Sequence, residues 1–139
     1  MIKAEFDEAD NIARHIPSAK RSGDFANWAT ARRDEGRSKI VLGGISLDNC
    51  TMQTTLDLLA EEFEVYVVVD VYGAESSLVE HSALLRLVQA GATPINWTQF
   101  ACEVMDDWET EEGPAIGGLL SEHSRYGALG VPGGQPSDT

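Results

Sequence analysis

Among side chains that attack carbonyl carbon, cysteine needs the least activation, because part of it is already thiolate near neutral pH. This chain has two, Cys50 and Cys102. Cys50 closes the stretch Lys39-Ile40-Val41-Leu42-Gly43-Gly44-Ile45-Ser46-Leu47-Asp48-Asn49-Cys50. That stretch opens as an apolar run, passes two glycines and reaches the helix-starting pair Asp48-Asn49. After Cys50 the pattern turns helical, with Met52, Leu56, Leu59, Ala60 and Phe63 recurring at three- and four-residue spacing. Cys50 therefore falls where a buried strand ends and a helix begins, which in an open α/β sheet is the edge where ligands bind. The positive end of the helix and its unpaired N–H groups favour thiolate there. Most free cysteines are inert packing; position lifts Cys50 above that background. Cys102 falls on the apolar face of a later helix and reads as core. The two are far apart with no metal-ligand spacing, so neither a disulfide framework nor a metal site is expected.

The elements that must position Cys50 follow from the pattern on either side. Ile2, Ala4 and Phe6 suggest a short helix, Asn11-Ile12-Ala13-Arg14 an extended piece, and His15 to Gly23 a loop. A helix starts at Asp24, with Phe25, Trp28, Ala29 and Arg32 on one face and Gly36 to end it. The strand from Lys39 and the helix after Cys50 come next. Val65-Tyr66-Val67-Val68-Val69 reads as a strand buried on both faces, ending at Asp70-Val71-Tyr72-Gly73. A helix over Ser76 to Ala90 presents Leu78, Leu85, Ala83 and Leu87, and Gly91 stops it. Thr93 to Trp97 is a short strand begun by Pro94. A helix from Thr98 or Gln99 carries Phe100, Val104 and Trp108, the acidic run Asp106 to Glu112 is a solvated face, and a last helix covers Ile116 to His123. Such alternation implies a parallel sheet with right-handed crossovers. About three strands are visible, against a usual five or six.

A chain of 139 residues makes one domain, here over 1–128, with a flexible Gly/Pro-rich tail at 129–139. The formal net charge of −13 sets nucleic acid and anionic membrane aside as partners. No apolar run is long enough to span a bilayer, and the first residues carry no signal-peptide pattern, so the cytoplasm is the expected location.

Taken in order, these residues resemble the isochorismatase-like cysteine hydrolases. Gly44-Ile45-Ser46-Leu47-Asp48-Asn49-Cys50 looks like the family's nucleophile segment, with Leu47 in place of the usual threonine. The likeness continues through Tyr66 to Asp70, His81 to Arg86, Gln89-Ala90-Gly91-Ala92, Trp97, Ala101-Cys102-Glu103, Asp107-Trp108, Leu119 to His123 and Tyr126, and Asn11 to Arg14 resembles the segment before the family's active-site loop. The fold implied is a three-layer α-β-α arrangement around a parallel Rossmann-like sheet, lacking its first strands.

The chemistry implied is hydrolysis of an amide or related C–N bond of a small molecule by a cysteine, an aspartate and a lysine. Cys50 would attack the carbonyl and form a thioester, the aspartate would shuttle the proton, and the lysine's charge would favour thiolate. The backbone N–H groups of Cys50 and Ser46 would hold the oxyanion, with Ile45–Ser46 as the candidate cis peptide; losing one such donor costs about 10²–10³ in rate. In the family the aspartate ends the first strand and the lysine precedes the segment resembling Asn11 to Arg14. The chain therefore corresponds to the C-terminal half of such a hydrolase, with neither partner in place. Lys39 begins a strand at the wrong end, and Lys20 is the remaining candidate. His81 is a supporting helix residue in the family, not a catalytic one. The metal-binding Asp/His cluster of the family's nicotinamidases has no counterpart, so no cofactor and no metal are expected. An uncovered edge of the strand Ile40–Leu42 predicts a homo-oligomer. A different class of reading keeps the same fold: a non-catalytic relic or binding module that assembles through its sheet.

Overall fold

The computed structural model describes residues 18–21 and 23–125. The helix expected near Ile2 to Phe6, the extended piece at Asn11 to Arg14 and the tail at 129–139 lie outside them. The chain divides into two compact units, split between Ile95 and Asn96.

The first unit is built on three parallel strands, β1 (Lys39–Leu42), β2 (Glu64–Val68) and β3 (Thr93–Ile95), in the order β1-β2-β3. Register pairs Ile40 with Val65 and Leu42 with Val67, and then Val67 with Pro94 and Val68 with Ile95. β2 is the central strand, and its Val65, Val67 and Val68 are buried as the β-branched run predicts. Among the described residues β1 is an edge, and Val41 on it is exposed. Before the sheet come a 3-10 turn at Ala19–Arg21 and helix α1 (Gly23–Asp34), which turns off through Gly36 in the left-handed region at φ 84°. Between β1 and β2 runs α2 (Met52–Ala60), and between β2 and β3 runs α3 (Ser77–Ala90), the two packing against each other. Ser76 caps α3 by accepting from the Val79 N–H, and Gly91 at φ 104° ends it. One core joins these elements: Phe25 and Ala29 of α1, Ile40, Val65 and Val67 of the sheet, Leu47, Leu58 and Phe63 around α2, and Ala83, Leu87 and Ala92 around α3.

Helix existence follows the sequence pattern, but helix phase departs from it. On α2 the most deeply buried positions are Thr54, Thr55 and Leu58, whereas Leu56 and Leu59 are half-buried and Ala60 is exposed. Threonine scores as polar in a periodicity count, yet its methyl packs like that of valine. On α3 only Ala83 and Leu87 are buried; Leu78 and Leu85, expected on the same face, are exposed. Ala83 and Leu87 are what this helix gives to the core, with Leu84 packed against it.

The second unit holds α4 (Trp97–Met105) and α5 (Gly113–His123). Asn96 and Gln99 form a reciprocal capping box at the start of α4, with Asn96 Oδ1 accepting from Gln99 N–H at 2.8 Å and Gln99 Oε1 accepting from Asn96 N–H at 2.9 Å. Ala101 and Met105 are the buried positions of α4, while Phe100, Val104 and Cys102 are exposed. Cys102 is thus not core: it lies one position round the helix from the buried Ala101. The connection between the helices is exposed except at half-buried Thr110, as the acidic run predicts. It is closed by Gly113, where any Cβ would run into the Trp108 backbone.

Candidate active site around Cys50

Beyond Leu42 the chain leaves β1 through Gly43 and Gly44, and each glycine has a separate reason. A Cβ on Gly43 would meet Val71 Cγ2 at 2.9 Å, and Gly44 adopts φ 154°. The peptide bond from Ile45 to Ser46 is cis, at the position the family resemblance implies. Ile45 pairs in parallel fashion with Gly73, extending the β1–β2 alignment past the glycines. Leu47 then drops into the core, fully buried, and its N–H donates to the Gly73 carbonyl at 3.4 Å. From Leu47 to Thr51 the chain makes one π-helical turn, in which the Thr51 N–H donates to the Ser46 carbonyl at 3.2 Å, and α2 continues from Met52.

Cys50 rides on that wide turn. Its thiol is free and exposed, whereas Thr51 beside it is buried. Leu47 and Thr51 anchor the turn in the core while Asn49 and Cys50 face outward. π-Helical turns of this kind concentrate at functional sites, since the extra residue re-aims side chains that a regular helix would place elsewhere. Ser46, whose backbone N–H is the other expected oxyanion donor, is half-buried at the start of the same turn.

The sequence reasoning missed Tyr72. Its hydroxyl donates to the Leu42 carbonyl at 2.7 Å. Burial pushes the phenol from its ordinary 10.0 up to about 12. No signal in the sequence singles it out, because its hydrogen-bond partner is a backbone carbonyl thirty residues earlier.

The lysines fall elsewhere. Lys20 is almost fully buried, and its ammonium meets Glu61 at 2.8 Å. Glu61 follows α2, eleven residues beyond Cys50, or roughly 16 Å at the usual helical rise. Lys39 lies at the start of β1 with its ammonium 4.0 Å from Glu64, at the opposite end of the strand from Cys50. Neither supplies a positive charge to the thiol. Among the acidic groups, Asp48 sits in the turn itself and Asp70 follows β2. His81 is exposed on α3, in an open depression with Leu78, Ser82, Leu85 and Arg86, rather than packed. Among the described residues no cluster of three or more His, Cys, Asp or Glu could hold a metal ion, and no helix is long and apolar enough to cross a membrane.

Comparison of the whole chain with known proteins gives its family. An isochorismatase domain model matches residues 7–99, more than half of the chain. The chain belongs to the isochorismatase family. Across 123 residues it is 33% identical to the probable hydrolase YcaC of Escherichia coli, a span of 88% of this chain and 57% of that protein. Among solved members of the family, YcaC from Pseudomonas aeruginosa, determined with hexane-2,5-diol and covalent acrylamide, superposes with a TM-score of 0.70 at 32% identity, covering 81% of this chain and 55% of that one. The Escherichia coli YcaC structure, an octameric hydrolase of unknown specificity, gives 0.68 at 30% identity and covers 77% and 50%. The chain thus spans 50–57% of the length of these proteins.

Proposed function

We propose that this chain carries the nucleophile of an isochorismatase-family hydrolase, with Cys50 attacking the carbonyl of an amide or related C–N bond in a small molecule. The observation that carries the reading is an exposed thiol on the turn between β1 and α2, a turn anchored in the core by buried Leu47 and Thr51. In the reaction the Cys50 thiolate bonds to the carbonyl carbon and displaces the nitrogen, which leaves with a proton. Water then cleaves the thioester, releasing the acid and returning the thiol. The N–H groups of Ser46 and Cys50 are the donors we assign to the oxyanion.

Proton transfer limits what the described residues can do alone. With Lys20 tied to Glu61 and Lys39 beside Glu64, no lysine among the described residues accompanies the thiol. General acid–base help is worth about 10²–10⁴-fold, so the chain alone accepts an acyl group from an activated ester, whose leaving group needs no proton, and fails on an unactivated amide. Full activity draws its aspartate and lysine from outside the described residues. Two further features support the wider reading: among the described residues no strand pairs with the outer edge of β1, and the Escherichia coli relative is octameric, so we assign this chain to a homo-oligomer. The net charge of −13 sets nucleic acid aside, and a cytoplasmic place fits the same reading.

The test is a burst assay with nitrophenyl acetate and an amide analogue on the wild type and on Cys50→Ser. Wild type should show an ester burst with an acyl mass on Cys50 and no amide turnover, and Cys50→Ser should lose the burst by at least about 10²-fold, serine without a base being a far weaker nucleophile. An acyl group landing on Cys102 instead, or an unchanged burst in Cys50→Ser, removes Cys50 from the reaction. The non-catalytic binding module is then the better account.

A further inference from the structure

Helix α3 has two apolar sides. Ala83 and Leu87 meet the core. At about 3.6 residues to the turn, Leu78, Ser82, Leu85 and Gln89 line up on the opposite side. Leu78 is 78% exposed and Leu85 50%. Steps of four, three and four residues separate these positions, the spacing of the seam through which two helices pack knobs into holes. The seam is also arranged symmetrically. α3 runs Ser77–Ala90, so its midpoint falls between Ala83 and Leu84. The same point lies halfway between Ser82 and Leu85, and halfway between Leu78 and Gln89. A two-fold axis there sets Leu85 against the partner's Ser82, a large side chain against a small one, and does so twice. Charge favours the same pairing. Antiparallel order brings Arg86 toward the N-terminal half of the other helix, where Glu75 and Glu80 are exposed; parallel order would set Arg86 beside its own copy. The chain holds 23 acidic residues against 10 basic ones, so two copies repel wherever carboxylates gather. α3 has one acid, Glu80, and one base, Arg86, and its outward seam is uncharged.

We propose that the outward face of α3 is a self-association surface, on which a second copy of this chain lays its own α3 antiparallel about a two-fold axis through the helix centre. The proposal rests on the homo-oligomer reading above and gives that assembly an isologous contact separate from the edge of β1. An unrelated protein could cover the two leucines, but its contact would not depend on the symmetry of the seam. That dependence is what the measurement reads.

Light scattering over a dilution series gives the assembly mass of the whole chain. Leu85→Arg and Leu78→Glu should each at least halve that mass where the wild type is assembled. Each should raise the concentration of half-dissociation by at least about tenfold, the scale of losing one buried anchor. Far-UV dichroism checks that the variants fold. Should Leu85→Arg fail, Leu78→Glu carries the test, since a side chain 78% exposed gives the core little to lose. Oxidation then reads the orientation, on chains in which Cys50→Ser and Cys102→Ser leave a single introduced cysteine. About the proposed axis the two copies of position 82 lie about 5 Å apart along the helices and those of position 78 about 16 Å apart, from the rise per residue. Ser82→Cys should therefore form a covalent dimer and Leu78→Cys should not, although Leu78 is the more exposed. A wild type that stays monomeric at every concentration overturns both the proposal and the homo-oligomer reading. A wild type that assembles and keeps its mass in both α3 variants overturns the proposal and leaves the oligomer to another surface. Cross-linking at position 78 as strong as at position 82 overturns the antiparallel two-fold pairing.

Discussion

At its N-terminal end α2 receives an exposed thiol, a buried threonine hydroxyl and the Tyr72 phenol; toward its C-terminal end it collects cations. Lys20 meets Glu61 at 2.8 Å, Arg21 grips Asp57 through Nε at 2.8 Å and Nη2 at 3.3 Å, and Arg33 donates to the Glu61 carbonyl at 3.2 Å while lying over the Phe63 ring. That division follows the helix dipole, which favours cations near the last carbonyls and anions, a thiolate included, near the first N–H groups. The lesson concerns catalysis. A lysine near a cysteine in sequence is weak evidence for a pair, because one helix length separates Lys20 from the place where a proton-transfer partner would be useful. The charges at the far end fix α2, and the neutral hydroxyls at the near end shape it.

Both ends depend on how the middle of the helix is seated, and the largest stability effect is expected there. Leu58 is fully buried and belongs to the core that joins α1, α2 and the sheet. Leu58→Ala should cost about 2–5 kcal/mol, the lost transfer energy plus the cavity left behind. Denaturant melts at neutral pH would show the fall. A cost below about 1 kcal/mol would mean that α2 is held by its two ends rather than by its middle, and the contrast between them would lose its meaning.

How legible this arrangement is from sequence depends on how local its causes are. The strand–helix junction at Cys50 stands out because a run of β-branched and aliphatic residues, two glycines and an Asp-Asn pair all lie within a dozen positions. β2 and the Gly91 stop are equally plain. Burial of Thr54 and Thr55 in preference to Leu56 is not, because the face that meets the sheet is chosen by fit and not by hydropathy alone. The same holds for exposed Leu78 on α3 and for Cys102, one step off the buried face of α4. The Tyr72 hydrogen bond is invisible in the sequence, since its partner is a main-chain carbonyl thirty residues earlier, and a carbonyl has no letter of its own.

The two ends should also fail at opposite extremes of pH. At the thiol end, burial raises the Tyr72 phenol from 10.0 to about 12. The unfolded chain therefore sheds that proton first as pH rises. Stability from this group is complete below pH 10 and is lost on the way up to about 12. Tyr72→Phe should flatten that part of the curve of denaturation midpoint against pH. Equal slopes in the two proteins would place the alkaline sensitivity on another group.

At the cation end the sign reverses and the effect is the smallest of these. The hydrogen bonds from Arg21 hold the Asp57 carboxyl below its ordinary 3.8, ahead of the opposing effect of burial. A carboxyl depressed in the folded state contributes stability above its ordinary value and loses it as pH falls through the folded one. Arg21 is largely exposed, so water and salt screen the pair and its contribution is small. Arg21→Gln should move acid unfolding to slightly higher pH, and 1 M salt should erase most of the difference between variant and wild type; the same salt should leave the alkaline contribution of buried Tyr72 in place. If salt removed both alike, the two ends would be held by one kind of force, and the division of labour along α2 would be wrong. If it removed only the acid-side difference, surface charge would be what holds the cation end, and the buried Tyr72 phenol with its bond to the Leu42 carbonyl what supports the other.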